Sequence, residues 1–174
     1  MLPDPLHPAV VHFPIVLMTF LPLAALWALW ALRHGASPLR AWIVPVAMAG
    51  ALTLSSWAAL ETGEDEGETA EDVVGEAPVE THEEAAERFL LFSGIVFALS
   101  AAGLVRGTAG RGARVVATIA TLGLLVAGYQ VGHTGGALAY GDGTSAGVSR
   151  LAPGGGGEGG GAGAEQGKQG DDDD

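Results

Sequence analysis

The side chains in this sequence that are best suited to binding chemistry are its histidines. There are five, and the chain has no cysteine, so imidazole is the strongest donor that it offers to a metal ion. His34 lies on one side of the apolar stretches, whereas alternating membrane crossings would bring the other four to the opposite side. Helix bundles build cofactor sites from side chains on facing helices. We therefore predict a haem or metal site formed by His7, His12, His82 and His133.

The spacing of the first two histidines limits how they could share that site. Five residues on a continuous helix correspond to about 7.5 Å of rise and roughly 140° of rotation. His7 and His12 would then bind one ion together only if the helix begins after His7. We expect His12, His82 and His133 to line the site, with His7 as a fourth ligand or a lid. In the alternative interpretation each histidine lies at an interface with its polar edge in water.

Carboxylates accompany the histidines and define a second hypothesis. Glu61 follows an apolar stretch, Glu83 follows the fourth histidine, and Asp142 lies beyond the fifth. A divalent ion such as zinc, copper or iron could be bound by imidazoles and carboxylates together. The protein would then be a divalent-metal binding or transport module, with Glu61 in support of the ligands. Those ligands would be His12, His82, His133, Glu83 and Asp142.

A third hypothesis is a structural or partner-binding membrane subunit without a cofactor, because Gly123 and Gly128 would allow close helix packing. The net charge of −12 argues against nucleic acid as a partner, since phosphate binding needs clustered lysine and arginine. The sequence shows no nucleophile–base pair and no phosphate-binding glycine loop, so hydrolytic enzymes are not indicated. Any enzymatic role would be electron transfer.

Four apolar stretches are long enough to position these residues as membrane-crossing helices. A bilayer core of about 30 Å requires roughly 17 to 25 apolar residues per helix. The stretches are 9–32, 41–60, 89–105 and 115–131. Because a backbone in lipid must satisfy its own hydrogen bonds, we predict an all-α, four-helix transmembrane bundle over residues 1–143. An acidic loop, 61–87, joins the second and third spans, and the glycine- and aspartate-rich tail, 144–174, is expected to be disordered.

The basic residues predict how the bundle is oriented. Arginines flank the turn between the first two spans and the turn between the last two: Arg33, Arg40, Arg106, Arg111 and Arg114. Cytoplasmic loops carry the excess of lysine and arginine in membrane proteins. Both turns are therefore expected in the cytoplasm. Both termini, the acidic loop and four of the five histidines would lie on the other side.

Local signals predict where the helices begin and end. Ser37, followed by proline, is typical of an N-cap. Thr81 and Glu84 fit a capping box that would open the third span just outside the membrane. Gly35 and Gly107 are suited to the residues that follow helix C-termini, since glycine accepts a left-handed conformation there.

Three segments together resemble a bacterial family of four-span membrane proteins catalogued as domain of unknown function 2231. The first is HPAVVHFPI, which begins at His7, and the second is THEE, which begins at Thr81. The third is GHTGGALAY, which begins at Gly132. The resemblance covers roughly residues 5–143. It implies a multi-pass protein of the bacterial inner membrane.

The resemblance also implies a chemistry. The family carries histidines that match His7, His12, His82 and His133, and it is distantly similar to four-helix cytochromes in which bundle histidines hold haem b. Many members have a further histidine where this chain has Asp142. The resemblance therefore implies electron transfer at the outer face, in the lipid bilayer, with a quinone or a periplasmic redox protein as partner.

Overall fold

The computed structural model describes residues 7–140, which contain helices and no strand. The helices are α1 (His7–Val10), α2 (His12–Arg33), α3 (Pro38–Val74), α4 (Glu76–Ala102) and α5 (Thr108–Tyr140). Four helical segments are long and apolar enough to cross a membrane: His7–Arg33, Pro38–Glu64, Glu76–Ala102 and Thr108–Ala139. The prediction of an all-α, four-helix bundle is confirmed for this part of the chain, which is a multi-pass membrane protein. The tail predicted to be disordered, 144–174, lies outside the described residues.

The four long helices form a closed bundle, in which neighbours along the chain pack side by side and α5 also packs against α2. Two buried clusters fill it, one around Leu21, Leu52 and Leu124 and the other around Trp42. The small residues noted in the sequence allow close approach, since Gly123 faces the ring of Phe92 and Gly128 faces Met18 and Phe89. Many large apolar side chains are exposed on the outside of the bundle, as a surface in contact with lipid requires.

The two ends of the bundle differ in charge, one being rich in glutamate and the other in arginine. The acidic end comprises α1, residues 59–87 and residues 129–140. The arginine end comprises residues 33–40 and 102–114, which contain the five arginines used above to predict orientation. Each end is formed by contributions from several helices.

Residues 61–87 are helical, so the predicted loop between the second and third spans is wrong. α3 continues to Val74 and α4 begins at Glu76, with a break only at Gly75, whose φ is +90°. This stretch is rich in alanine and glutamate, which favour helix, and extending an existing helix requires no new nucleation. The capping box is wrong for the same reason, because Thr81 lies inside α4 and donates its hydroxyl to the carbonyl of Ala77.

The helix ends at the arginine end follow the sequence signals more closely. Ser37 is the N-cap of α3, and its Oγ accepts from the backbone N–H of Arg40 at 3.4 Å. Gly35, with φ of +90°, follows the end of α2, as predicted. α4 ends at Ala102, so Gly107, with φ of +88°, lies in the turn just before α5.

A buried arginine closes the turn between α4 and α5. The Nε of Arg114 donates to the carbonyl of Gly103 at 2.6 Å, and one of its terminal nitrogens lies 3.4 Å from the carbonyl of Val105. Nearby, the indole N–H of Trp42 donates to the carbonyl of Ser100 at 2.8 Å. The last carbonyls of a helix have no partner within the helix and attract positive charge. Arg114 and Trp42 therefore supply the hydrogen-bond donors that the carbonyls at the C-terminal end of α4 would otherwise lack.

Val11 separates α1 from α2 within the first span. Pro14 lies three residues later and has no N–H to donate to the carbonyl of Val10, against which its ring also crowds. The backbone of Val11 is nevertheless helical, with φ −61° and ψ −20°, and its N–H donates to the carbonyl of His7 at 3.1 Å. The first span therefore continues through Val11, and α1 at its end contacts α3.

Candidate functional site at the acidic end

Two of the predicted site histidines meet at the acidic end. The ring centroids of His7 and His82 are 6.4 Å apart and their planes are almost perpendicular, at 88°. His7 begins α1, which lies on α3, whereas His82 lies on α4. Both residues are half-buried. The pair therefore joins elements that are far apart in the sequence.

His7 is fixed against the backbone of α3. Its Nδ1–H donates to the carbonyl of Ala59 at 2.8 Å, and the hydroxyl of Thr62 lies 3.4 Å from the same nitrogen. Gly63 leaves room for the ring, because a Cβ at that position would lie 3.1 Å from His7 Cε1. The imidazole is thus held by a backbone acceptor and seated on a glycine.

His82 is fixed in a similar way against α5. Its Nδ1 lies 2.9 Å from the hydroxyl oxygen of Thr134. The hydroxyl oxygen also lies 3.0 and 3.2 Å from the backbone carbonyls of Val131 and Gln130. When its hydrogen is directed to these carbonyls, it accepts from the imidazole N–H. Gly135 seats the ring, since a Cβ there would lie 3.0 Å from His82 Cε1.

The geometry of the two rings can be compared with that of imidazoles that share a metal ion. Histidine ligands generally donate one ring N–H to an oxygen of the protein, which fixes the tautomer and leaves the lone pair on the other nitrogen. His7 Nδ1 faces a carbonyl oxygen and therefore donates, so a lone pair would be on Nε2 when that ring is neutral. For His82 the same holds in the tautomer whose Nδ1–H donates to the hydroxyl of Thr134. Two imidazoles that share one ion through bonds of about 2 Å have centroids roughly 5 to 6.5 Å apart. The observed separation of 6.4 Å lies at the upper end of that range, which corresponds to two nitrogens on nearly opposite sides of an ion.

The other predicted ligands lie apart from this pair. His12 is exposed, and its Nδ1–H donates to the carbonyl of Pro8 one turn earlier, at 2.7 Å. His133 is also exposed and has its ring 6.1 Å from that of Tyr129. Asp142 lies outside the described residues. Among the side chains that the structure describes within residues 7–140, which leave out those of 65, 66, 68, 69 and 140, no three from histidine, aspartate or glutamate are grouped so as to hold a metal ion.

Glutamates give the neighbourhood of His82 a negative potential. Glu83 is half-buried where α3 and α4 touch, and its Oε1 would lie 3.1 Å from a Cβ at Gly67. Four further carboxylates interact electrostatically with it: Glu64, Glu71, Glu80 and Glu87. Glu61, which directly follows the apolar part of α3, is exposed. A concentration of like charge of this kind attracts cations to the acidic end.

The residues that hold the two imidazoles were not found from the sequence. Thr134 directly follows His133 in the motif GHTGG, and the adjacent Gly135 seats a ring from another helix. The small residues that follow His133 in this motif were the signal in the sequence that another helix could pack closely there. Gly63 and Thr62 fell within the predicted loop, where no helical face was considered.

Comparisons of the chain with family models, with curated proteins and with solved structures find no match.

Proposed function

We propose that this chain is a metal-binding protein of the bacterial inner membrane, with His7 and His82 as ligands near the outer face. The observation that supports this most directly is the pairing of the two rings at 6.4 Å, each with Nδ1 bonded to an oxygen of the protein. The clustering of the arginines at the opposite end supports an orientation with that end in the cytoplasm. The acidic end, and with it both termini, would then face outward.

A bare divalent ion suits the pair better than a larger cofactor. Neutral imidazole is a good ligand for zinc and copper. Zinc usually takes four ligands in a tetrahedron, for which the two rings would move about 1 Å closer together. Two histidines would leave positions on the ion for water or for an incoming donor. An incompletely ligated ion beside a negative surface is typical of a site that receives and releases its metal. The proposed role is therefore acquisition or transport of zinc or copper.

Haem b is the second candidate, because two imidazoles on opposite faces of one iron would also have centroids about 6 Å apart, given iron–nitrogen bonds close to 2 Å. The resemblance to the four-span family supports it as well. The close contact between Gly67 and Glu83 argues against it, since α3 and α4 would have to separate to admit a flat macrocycle. If haem is bound, electron transfer with a quinone or a periplasmic protein becomes the expected role.

Metal titration and absorption spectra of the purified protein distinguish these candidates. We expect the detergent-solubilised chain to bind one zinc or copper ion, with an affinity that falls by about tenfold or more in His7→Ala and in His82→Ala. His34→Ala is the matched control, because His34 also donates Nδ1–H to a backbone carbonyl, that of Trp30 at 2.8 Å, but at the arginine end. Equal affinity in the wild type and the two ligand variants would overturn the proposal.

The same preparation tests haem. Expression with a haem precursor followed by oxidised and dithionite-reduced spectra would reveal a Soret band that shifts on reduction if haem is bound. Loss of that band in His7→Ala and His82→Ala, but not in His34→Ala, would show that the histidine pair binds haem and not a bare ion. Helical circular dichroism and a single peak in size exclusion establish that each variant is folded.

A further inference from the structure

The outer surface of α4 and α5 has an open groove, lined by both polar and apolar atoms, beside the proposed metal site. The groove has a volume of about 430 Å³, within the roughly 300 to 1,000 Å³ typical of small-molecule sites. It lies beside the imidazole pair and shares only Thr134 with it. Its lining comprises Thr81, Glu84, Ala85, Arg88, Tyr129, Gln130, His133 and Thr134.

The groove carries one charge of each sign. Arg88 donates to Glu84 through one terminal nitrogen and one carboxylate oxygen, 2.8 Å apart. Both side chains are exposed, with 77% and 55% of their surface accessible. Guanidinium has five donors and carboxylate has two acceptor oxygens, so this single contact leaves each group able to bind a further ion of opposite charge. Gln130, His133 and Tyr129 add further polar groups to the lining.

The level of the groove along the bundle is that of a membrane interface. Arg88 directly precedes the apolar part of α4, which begins at Phe89. Tyr129, with 71% of its surface exposed, lies near the end of the apolar part of α5. Tyrosine is enriched at the level of lipid headgroups, where its ring is in apolar and its hydroxyl in polar surroundings. A ligand in the groove would therefore have its polar part at headgroup depth.

Below the groove the same surface continues as an apolar track. On α4 the residues one and two turns beyond Arg88 are Leu91 and Ile95, which are 69% and 47% exposed. On α5 the residues one and two turns before Tyr129 are Val126 and Leu122, 63% and 53% exposed. Residues spaced by three and four positions share a helix face. The groove and the track thus form one continuous surface, polar at one end and apolar along its length.

We propose that this surface binds a phospholipid with a phosphoethanolamine headgroup. Arg88 would bind the phosphate and Glu84 the primary ammonium, which offers three N–H donors to a carboxylate. The acyl chains would lie along the apolar track. A phosphocholine headgroup has no N–H to donate, and a phosphoglycerol headgroup has no cation for Glu84. The pairing of charges therefore selects ethanolamine among common phospholipids.

Native mass spectrometry of the full-length protein with dioleoyl lipids tests this. We expect the phosphoethanolamine lipid to bind about fivefold to tenfold more tightly than the phosphocholine or phosphoglycerol lipid. Arg88→Gln should weaken its binding by about tenfold, and Glu84→Gln should abolish the preference over phosphoglycerol. The matched controls are Arg106→Gln, at the arginine end, and Glu80→Gln, an exposed glutamate on α4 outside the groove.

Additional binding experiments identify which molecule the groove binds. Glycerophosphoethanolamine, which lacks acyl chains, should compete only weakly, because the apolar track contributes to binding. Equal binding of the three lipids, an unchanged affinity in Arg88→Gln, or equally strong binding of inorganic phosphate would overturn the proposal. So would displacement of the lipid by an equimolar quinone, which would assign the groove to that molecule. Metal binding should be unaffected by Arg88→Gln, so the lipid and metal proposals fail independently.

Discussion

The two ends of the bundle use their polar side chains for different purposes. At the arginine end, Arg114, Trp42 and Ser37 each bond to a backbone group that the end of a helix would otherwise leave without a partner. At the acidic end, His7 and His82 are also bonded to oxygens, but neither imidazole closes a helix terminus. The polar groups at the arginine end stabilise helix ends. The two histidines at the acidic end have no such structural role, which leaves a functional role for them.

The glycines support the same distinction. Gly63 and Gly135 lie directly under the two imidazoles, where a Cβ would come within 3.1 and 3.0 Å of a ring atom. Gly136 is the next residue on α5, and no atom lies within 4 Å of the position its Cβ would take. Glycine within a helix lowers stability by roughly 0.5 to 1 kcal/mol relative to alanine. At Gly63 and Gly135 a larger side chain would collide with an imidazole, so the absence of a Cβ there makes room for the histidine pair.

The largest expected effect is on stability, at the arginine end. Arg114→Ala leaves the carbonyl of Gly103 without its charged donor in a buried turn, and we expect the free energy of unfolding to fall by about 2 to 4 kcal/mol. Metal affinity should not change. Unfolding in sodium dodecyl sulfate, followed by circular dichroism, measures the loss. Arg111→Ala, an exposed arginine one turn earlier, should change stability by less than about 0.5 kcal/mol; equal losses in the two variants would remove the assigned role of Arg114.

The next effect is on metal affinity, at the acidic end. Thr134→Val removes the oxygen that accepts from His82 Nδ1 while keeping a similar shape. We expect affinity for zinc or copper to fall by about tenfold, because outer partners orient ligating histidines. Thr81→Val is the control, since the Thr81 hydroxyl donates only within its own helix, to Ala77. A fall of the same size in both variants, measured by competition with a chelator, would show that the bond to Thr134 does not position His82.

The smallest effect comes from the glycines under the rings. Gly135→Ala should weaken metal binding by about threefold to tenfold by displacing the imidazole of His82, since a displacement of even 1 Å degrades a binding site. Gly136→Ala should leave affinity unchanged and raise the free energy of unfolding by up to about 1 kcal/mol. Titration of both variants with zinc measures the difference. Identical affinities would mean that the close approach at Gly135 has no bearing on the site.

The spans were predictable from the sequence because charge and hydrophobicity are separated along the chain. Stretches such as 9–32 and 41–60 contain no aspartate, glutamate, lysine or arginine, and length alone then indicates a membrane-crossing helix. The helical extension beyond Glu61 was not predicted, because an abundance of acids was interpreted as a loop. Alanine and glutamate favour helix, and the preceding span supplies its nucleus.

The sequence predicted two of the histidines that meet at the acidic end, His7 and His82, but not that His12 and His133 lie apart from them. Sequence identifies which end of the bundle each histidine reaches but not the direction in which its ring points, since that depends on the rotation of each helix. His12 is exposed because the packing of residues such as Leu21 sets the rotation of α2. His7 reaches the pair because it lies on the side of α1 that contacts α3, where its ring bonds to the carbonyl of Ala59.

The central claim is that two histidines, His7 and His82, share one metal ion. Electron paramagnetic resonance of the copper(II)-loaded protein counts the nitrogen ligands through their hyperfine coupling. We expect two equivalent imidazole nitrogens in the wild type and one in either His7→Ala or His82→Ala, with His12→Ala and His133→Ala unchanged. A spectrum with no nitrogen coupling, or one that loses a nitrogen in His12→Ala or His133→Ala, would contradict the account.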